Sequence, residues 1–147
     1  MVRRVALVGQ NNSRSKIPAK ALSPEYVDST GWNLWKLTEA RTGATQEDYQ
    51  QAFHRYCLGT ELHFHTDNAR QYWSDIESDL LAEFNTVVLV GTAVRNAASL
   101  LLPRLYVSRT LICIPTPSIY SLWYTQGNNK SIVELIFEEL YFEAVLT

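Results

Sequence analysis

The sequence lacks any long apolar run, and this shortage sets the first limits on what the protein can be. No stretch approaches the roughly 18 consecutive apolar residues that mark a transmembrane helix. The apolar run that follows Arg3 and Arg4 is also far too short for the core of a signal peptide. We therefore expect a cytoplasmic protein that makes no contact with a membrane.

Cysteine is scarce as well, and so is any excess of charge. The two cysteines, Cys57 and Cys113, lie in apolar surroundings without paired spacing, which predicts reduced core residues and no disulfide. The formal net charge of −2 provides no chain-wide attraction for a polyanion, so any contact with nucleic acid has to be local. The candidate for such a contact is the cluster Arg14, Lys16 and Lys20, although solvation of a loop is the simpler explanation.

The common nucleotide-binding motifs are absent. The pattern GxxxxGK, followed by Ser or Thr, needs a glycine directly before Lys16, where Ser15 stands. No glycine occurs between Gly9 and Gly31, so the pattern GxGxxG is missing too. The sequence therefore indicates neither a nucleoside triphosphatase nor a dinucleotide-binding enzyme.

A metal centre and a serine hydrolase site are also not indicated. His63 and His65 share one side of an extended segment, but no third donor lies close to them in the sequence. The Gly-x-Ser-x-Gly sequence of a nucleophile elbow does not occur. We expect no metal and no organic cofactor.

What the chain does contain is a set of short apolar runs without polar alternation, which is typical of strands buried on both faces. The runs are Val5 to Val8, Thr86 to Val90 and Arg109 to Ile114. The first two end at Gly9 and Gly91, and the third is stopped by prolines. These runs predict a small, mainly parallel sheet.

Helical spacing fills the intervals between these runs, after a long irregular loop over residues 10 to 30. The first predicted helix runs from Trp32 to Arg41. The second begins at a capping box formed by Thr45 to Asp48 and places Tyr49, Phe53, Tyr56 and Cys57 on one face. The remaining predicted helices run from Thr66 or Asp67 to Phe84, from Thr92 to Leu101, and from Asn129 or Ser131 to Val145. Residues 56 to 64 fit a helix end, a short strand or a loop equally well. The sequence predicts one α/β domain over residues 1–147, a three-layer α/β/α sandwich.

Three segments, each following a predicted strand, occur in an order and at a spacing that resemble a known family. They are Gly9-Gln10-Asn11, Gly91-Thr-Ala-Val-Arg95 and Pro115-Thr-Pro-Ser118. With Ala21-Leu22, Gly31-Trp-Asn-Leu-Trp35 and Tyr49-Gln-Gln-Ala-Phe-His-Arg55, they resemble the uracil-DNA glycosylase superfamily, and in particular its short microbial and phage members. The resemblance spans nearly the whole chain and implies the fold of that superfamily.

In that family the first loop reads Gly-Gln-Asp-Pro or Gly-Ile-Asn-Pro, and its third residue positions or activates the attacking water. Asn11 holds this position here, as Asn does in the mismatch-specific uracil/thymine branch, and Asn12 replaces the proline. Hydrolysis of an N-glycosidic bond passes through an oxocarbenium-like sugar, so water has to be oriented on one face while the base departs. The resemblance implies that Gly9, Gln10 and Asn11 hold water and base. Capping of a turn is the alternative role of Asn11.

The second loop of the family reads His-Pro-Ser or Asn-Pro-Ser, where the first residue stabilises the oxygen of the departing base and the others contact the DNA backbone. Here the loop reads Thr116, Pro117 and Ser118. Thr116 can donate one hydrogen bond, but it lacks the reach and the possible charge of His. Tyr120 belongs to the bulky segment 119–124, for which the resemblance implies a wedge inserted into the DNA helix. Alternatively, Thr116 only bridges two prolines.

The resemblance further implies that DNA is the partner of a monomer. Arg14 or Lys16 would contact phosphates, and Trp32 or Tyr26 would stack on an extruded base, with core packing as the alternative for each aromatic residue. The leading hypothesis is a DNA glycosylase for a flipped-out uracil or a related modified or mismatched pyrimidine. Two alternatives stay open: a DNA- or nucleotide-binding module without catalysis, and an N-glycosidic hydrolase for another modified base.

Overall fold

Four parallel strands form the centre of the protein. A computed structural model describes residues 5–10, 17–59, 66–98, 110–115, 117 and 125–145. Its strands are β1 (Val5–Gly9), β2 (Phe53–Cys57), β3 (Thr86–Val90) and β4 (Thr110–Ile114). They pair in the order β2-β1-β3-β4, and every pairing is parallel. The prediction of an α/β protein with a small parallel sheet is confirmed.

Helices cover both faces of this sheet. Among the described residues they are α1 (Thr30–Thr42), α2 (Gln46–Ala52), α3 (Thr66–Glu83), α4 (Thr92–Ala98) and α5 (Asn129–Val145), and a 3-10 turn spans Pro18–Lys20. Buried side chains of α1, α2 and α5 pack on one face and those of α3 and α4 on the other. The three-layer α/β/α sandwich is therefore confirmed. In the described ranges no helix is both long and apolar enough to cross a membrane.

The two central strands are buried along their whole length, which explains their unalternated sequences. All five residues of β1 and all five of β3 are buried. Successive side chains of a strand point to opposite faces, so Val5 and Leu7 join the core under α1 and α5 while Ala6 and Val8 join the core under α3. Both sets must be apolar because helices cover both faces.

Strand β2 overturns one prediction. The expected helix that carries Tyr49, Phe53, Tyr56 and Cys57 on one face is wrong, because α2 ends at Ala52 and the chain continues as a strand from Phe53. The backbone of Phe53 is already extended, with φ −113° and ψ 126°. Residues 53 to 57 then pair in register with all five residues of β1.

Helix α2 begins at the capping box that the sequence predicted at Thr45 to Asp48. The Thr45 hydroxyl accepts a hydrogen bond from the Asp48 amide at 3.1 Å, and the Asp48 carboxylate accepts one from the Thr45 amide at 3.0 Å. This capping box was predicted and is confirmed. Helix α1 begins at Thr30, two residues before the predicted start, because Ser29 caps it. It ends at Gly43, whose φ of 71° suits a residue without a side chain.

The cysteines confirm one expectation and correct another. Both are free, as predicted. Cys57 is half-buried beside the core, whereas Cys113 is exposed, so its assignment as a core residue is wrong. Cys113 belongs to β4, which lies at the edge of the sheet and is less covered than β1 and β3.

Candidate functional site

The ends of all four strands meet at one edge of the sheet. Gly9 pairs with Cys57, and Val90 pairs with Ile114, so the loops after these strands leave the sheet side by side. The chain moves from β1 outward to β2 and then returns past β1 to β3 and β4. Such a change of direction opens a crevice at the carboxyl ends of the two central strands, which is where open α/β sheets bind ligands.

Backbone hydrogen bonds hold the beginnings of these loops in place. The Leu58 amide donates to the carbonyl oxygens of Gly9 and Gln10, both at 3.1 Å. The Gly91 amide donates to the Ile114 carbonyl at 2.8 Å. The side chain of Gln10 is exposed at this edge and presents a neutral amide, which can both donate and accept hydrogen bonds.

Helix α1 connects the first loop to the last. Its first turn contains Asn33, whose Nδ2 donates a hydrogen bond to the carbonyl oxygen of Pro117 at 2.8 Å. Pro117 is buried, and Asn33 is half-buried. The two residues are 84 positions apart in the chain. The loop after β4 is therefore attached to the helix that follows the loop after β1.

Leu22 fills the space between β1 and α1. A Cβ atom on Gly9 would lie 2.6 Å from Cδ2 of Leu22, and one on Gly31 would lie 2.3 Å from its carbonyl carbon. Gly9 is the last residue of β1, so its lack of a side chain serves close packing against Leu22. The carbonyl oxygen of Leu22 also accepts a hydrogen bond from the Tyr49 hydroxyl at 3.1 Å. These contacts hold the first loop and α1 together.

Trp32 lies in the same first turn of α1 and is half-buried. Its ring packs edge-on against Trp35, with 5.0 Å between the ring centroids, and the Lys36 ammonium lies 5.5 Å from the Trp32 ring. The core packing that the sequence offered as the alternative is thus present. Tyr26, the other stacking candidate, is also half-buried and lies in the long loop.

The described part of the basic cluster is paired. Lys20 Nζ lies 2.8 Å from the Glu25 carboxylate on the protein surface. The hydrogen bond to Lys20 lowers the pKa of Glu25, and the same bond raises the pKa of Lys20. Lys20 thus forms a surface ion pair, which solvent screens.

Seven of the predicted site residues lie outside the described residues, so their roles stay predictions. Four of them belong to the first loop and three to the segment after β4: Asn11, Asn12, Arg14, Lys16, Thr116, Ser118 and Tyr120. The neighbours that the structure does describe, namely Gly9, Gln10, Trp32 and Pro117, all lie at the carboxyl edge or in the first turn of α1.

Sequence reasoning missed two residues that organise this edge. Asn33 was assigned to a helix and to a segment of the resemblance but to no contact, although Asn is a poor helix former and its presence in a first turn is a signal for a side-chain hydrogen bond. Leu22 has a φ of 48°, which is unusual for a residue with a side chain and which no sequence pattern predicted.

Within the described ranges, no group of three His, Cys, Asp or Glu side chains is placed to hold a metal ion.

Comparisons with other proteins add no family to this description. No protein-family model, no curated protein and no solved structure matches the chain. A function has to be inferred from the chain's own residues and from the edge at which they meet.

Proposed function

We propose that the protein is a DNA glycosylase that hydrolyses the N-glycosidic bond of a flipped-out uracil or of a related modified or mismatched pyrimidine. The observation that carries this proposal is the hydrogen bond between Asn33 and Pro117. It attaches the Thr116–Ser118 loop to α1, while Leu22 packs α1 against the end of β1. The two loops that resemble glycosylase motifs therefore begin at one edge, at the switch point of the sheet.

In this proposal Asn11 orients a water molecule toward the sugar carbon, and Thr116 donates a hydrogen bond to the oxygen of the departing base. Stabilisation of a departing anion and an oxocarbenium-like sugar is the main electrostatic demand of the reaction. An amide orients water but does not accept its proton. We therefore expect slow excision that depends on a base pair already weakened by a mismatch or by damage, since the cost of extruding the base is then smaller.

The proposed contacts with DNA are local and suit the weak net charge. Arg14, Lys16 and Ser118 would contact phosphates, while Tyr120 would occupy the space that the extruded base leaves. Gly9, Gln10, Asn12 and Pro117 would line the base pocket, with the protein acting as a monomer. Trp32 would stack on the base. The proposal requires no cofactor.

A second candidate is a DNA- or nucleotide-binding module on the same fold. The residues that favour it are Asn11 and Thr116, because they stand where an acid and a His occur in the strongest members of the family that the chain resembles. A hydrolase for another modified base is the third possibility, and it differs from the first only in the base that fits the pocket.

The test uses duplexes that contain a single uracil, a mismatched thymine or hydroxymethyluracil, each incubated with the protein and then treated with alkali. Alkali cleaves the strand at an abasic site, so scission reports base excision. We expect scission by the unaltered protein and its loss in Asn11→Ala and in Thr116→Ala. The matched control is Gln50→Ala, which removes an exposed amide on α2, at the opposite edge of the sheet.

The possible outcomes separate the candidates. Scission that survives Asn11→Ala would exclude the proposed role of Asn11. Retained DNA binding without scission would favour the binding module. Binding that does not weaken as salt is added would contradict phosphate contacts in either case, since such contacts release counterions.

A further inference from the structure

One charged side chain of the sheet, that of Arg55, has no oppositely charged partner among the described residues. Arg55 lies in β2 opposite Leu7, and it shares a face of the strand with Phe53 and Cys57, both of which contact the apolar core. An arginine is unusual in such a row, because a buried guanidinium is normally paired. Its presence calls for an explanation beyond packing.

The guanidinium is largely without hydrogen-bond acceptors. Its Nε and Nη1 atoms are shielded from solvent and have no partner among the described residues. The Nη2 atom donates to the carbonyl oxygen of Ala19 at a long distance of 3.3 Å. The centre of the guanidinium also lies 5.8 Å from the centroid of the Tyr49 ring. Most of its hydrogen-bonding capacity is therefore unused.

The positive charge of Arg55 is not neutralised either. The described ion pairs of Glu25, Glu39 and Glu138 are formed with Lys20, Lys36 and Arg41, and none of them includes Arg55. The titratable neighbours Tyr49 and Cys57 are neutral at ordinary pH, since burial raises the pKa of both. Burial likewise lowers the pKa of Arg55 itself. A buried charge without a partner destabilises a fold.

We propose that Arg55 binds a phosphate group, which supplies the acceptors and the negative charge that the described residues do not. A guanidinium matches the geometry of phosphate oxygens better than any other side chain. The 3-10 turn at Pro18–Lys20 contacts this side chain through the Ala19 carbonyl, and Pro18 and Ala19 of the turn are exposed. Binding exchanges the Ala19 carbonyl for phosphate oxygens as this turn moves away from β2.

The phosphate comes from one of two sources, a strand of DNA or a free phosphate ion. The position of Arg55 favours DNA, because the residue lies two positions before the carboxyl end of β2, at the edge of the sheet where β1 ends at Gly9. In that case the site rests on the DNA-binding part of the proposed function and extends it by one backbone contact. It does not depend on base excision.

The first experiment follows the side-chain Nε–H signal of Arg55 by NMR while inorganic phosphate replaces chloride at constant ionic strength. We expect a saturable shift of the Arg55 signal, with no shift for Arg70, an exposed arginine of α3 on the other face of the sheet. In the same titration, the Arg55→Lys variant should lack this signal and should bind phosphate more weakly than the unaltered protein. An Arg55 signal that does not move, or that moves together with that of Arg70, would overturn the proposal.

The second experiment measures the affinity for a DNA duplex at several salt concentrations. We expect Arg55→Gln to weaken binding about tenfold and to reduce the salt dependence by about one phosphate contact. Arg70→Gln should change neither quantity. A shift with phosphate but unaltered DNA affinity would identify free phosphate as the source. If the unaltered protein excises no base but binds DNA in a way that depends on Arg55, the proposed glycosylase activity is contradicted and the phosphate site is not.

Thermal unfolding separates this role from a purely structural one. Without phosphate, Arg55→Gln should unfold at or above the melting temperature of the unaltered protein, because it removes an uncompensated charge. A lower melting temperature together with unchanged DNA binding and no phosphate response would assign Arg55 to the fold and end the proposal.

Discussion

The first turn of α1 packs directly on the backbone of Leu22, where Gly31 has no room for a side chain. A Cβ atom at Gly31 would lie 2.3 Å from the Leu22 carbonyl carbon and 2.4 Å from the Ser23 carbonyl oxygen. Backbone atoms cannot move aside as a flexible side chain can. We therefore predict that Gly31→Ala lowers the free energy of unfolding by about 3 kcal/mol, measured by urea denaturation.

Gly43→Ala is the matched comparison for that substitution. Gly43 has a φ of 71°, but nothing lies within 4 Å of an added Cβ atom. The expected loss is about 1 to 2 kcal/mol, which reflects the left-handed backbone alone. If Gly31→Ala were no worse than Gly43→Ala, the close approach of α1 to Leu22 would be contradicted.

The capping box of α2 provides a second stability test. Thr45→Ala removes the acceptor for the Asp48 amide, so we expect a loss of about 1 kcal/mol. For a domain of this size that corresponds to a fall of about 3 °C in Tm by calorimetry. Gln50→Ala, an exposed change on the same helix, should stay within about 0.5 kcal/mol of the unaltered protein. Equal effects of the two substitutions would contradict the cap.

Most of the fold could be predicted because local signals and tertiary packing agree. The runs in β1 and β3 are apolar on both faces, and the capping box at Thr45 and the stop at Gly43 fix helix ends through short-range bonds. Strand β2 could not be predicted, since Phe53 to Cys57 becomes a strand by pairing with the free edge of β1. Such pairing leaves no mark in the local sequence.

The position of the candidate site could be predicted from the sequence, but the contacts that hold it together could not. That the loops after β1 and β4 lie at one edge follows from a parallel sheet, and the sequence indicated both loops. The bond from Asn33 to Pro117 was not predictable, because it joins residues 84 positions apart. That Nε and Nη1 of Arg55 lack acceptors among the described residues was not predictable either, because it depends on which side chains surround them in three dimensions.

Cys57 makes stability depend on pH in the alkaline range. Its thiol has an ordinary pKa near 9.0 in the unfolded chain, and burial raises the pKa to about 12 in the native protein. Between these values the unfolded state has lost a proton that the native state keeps, so stability falls as pH rises. We expect urea denaturation to show a loss of up to about 1.4 kcal/mol between pH 8 and pH 10 that Cys57→Ala removes.

The control for this pH dependence is Cys113→Ala. Burial also raises the pKa of Cys113, but the residue is exposed, so its removal should leave most of the loss in place. The relevant quantity is the difference in stability between the two pH values within each variant, because either substitution also changes packing by a constant amount. An unchanged pH dependence in Cys57→Ala would contradict the buried thiol.

The two thiols should also differ in their reaction with a disulfide reagent. Cys113 is exposed, whereas Cys57 is half-buried beside the core and its thiolate is strongly disfavoured. We predict that one thiol per chain reacts rapidly with Ellman's reagent at pH 8 and that the second reacts only after denaturation. Cys113→Ala should abolish the rapid phase, and a rapid phase that persists in this variant would contradict the assignment.

Asn33 tests the connection between the two loops and, through it, the proposed function. Asn33→Ala leaves the carbonyl of the buried Pro117 without its donor, so we expect a loss of about 1 kcal/mol in urea denaturation. Base excision should fall by more than this stability loss explains, because the loop that carries Thr116 is no longer attached to α1. Asn33→Asp should be at least as damaging at pH 7, since a carboxylate cannot donate and repels the carbonyl. Ala40→Gln, an exposed change on the same helix to another good helix former, should alter neither quantity. If the fall in excision in all three variants is no larger than their loss of unfolding free energy explains, this hydrogen bond has no role in function beyond stability.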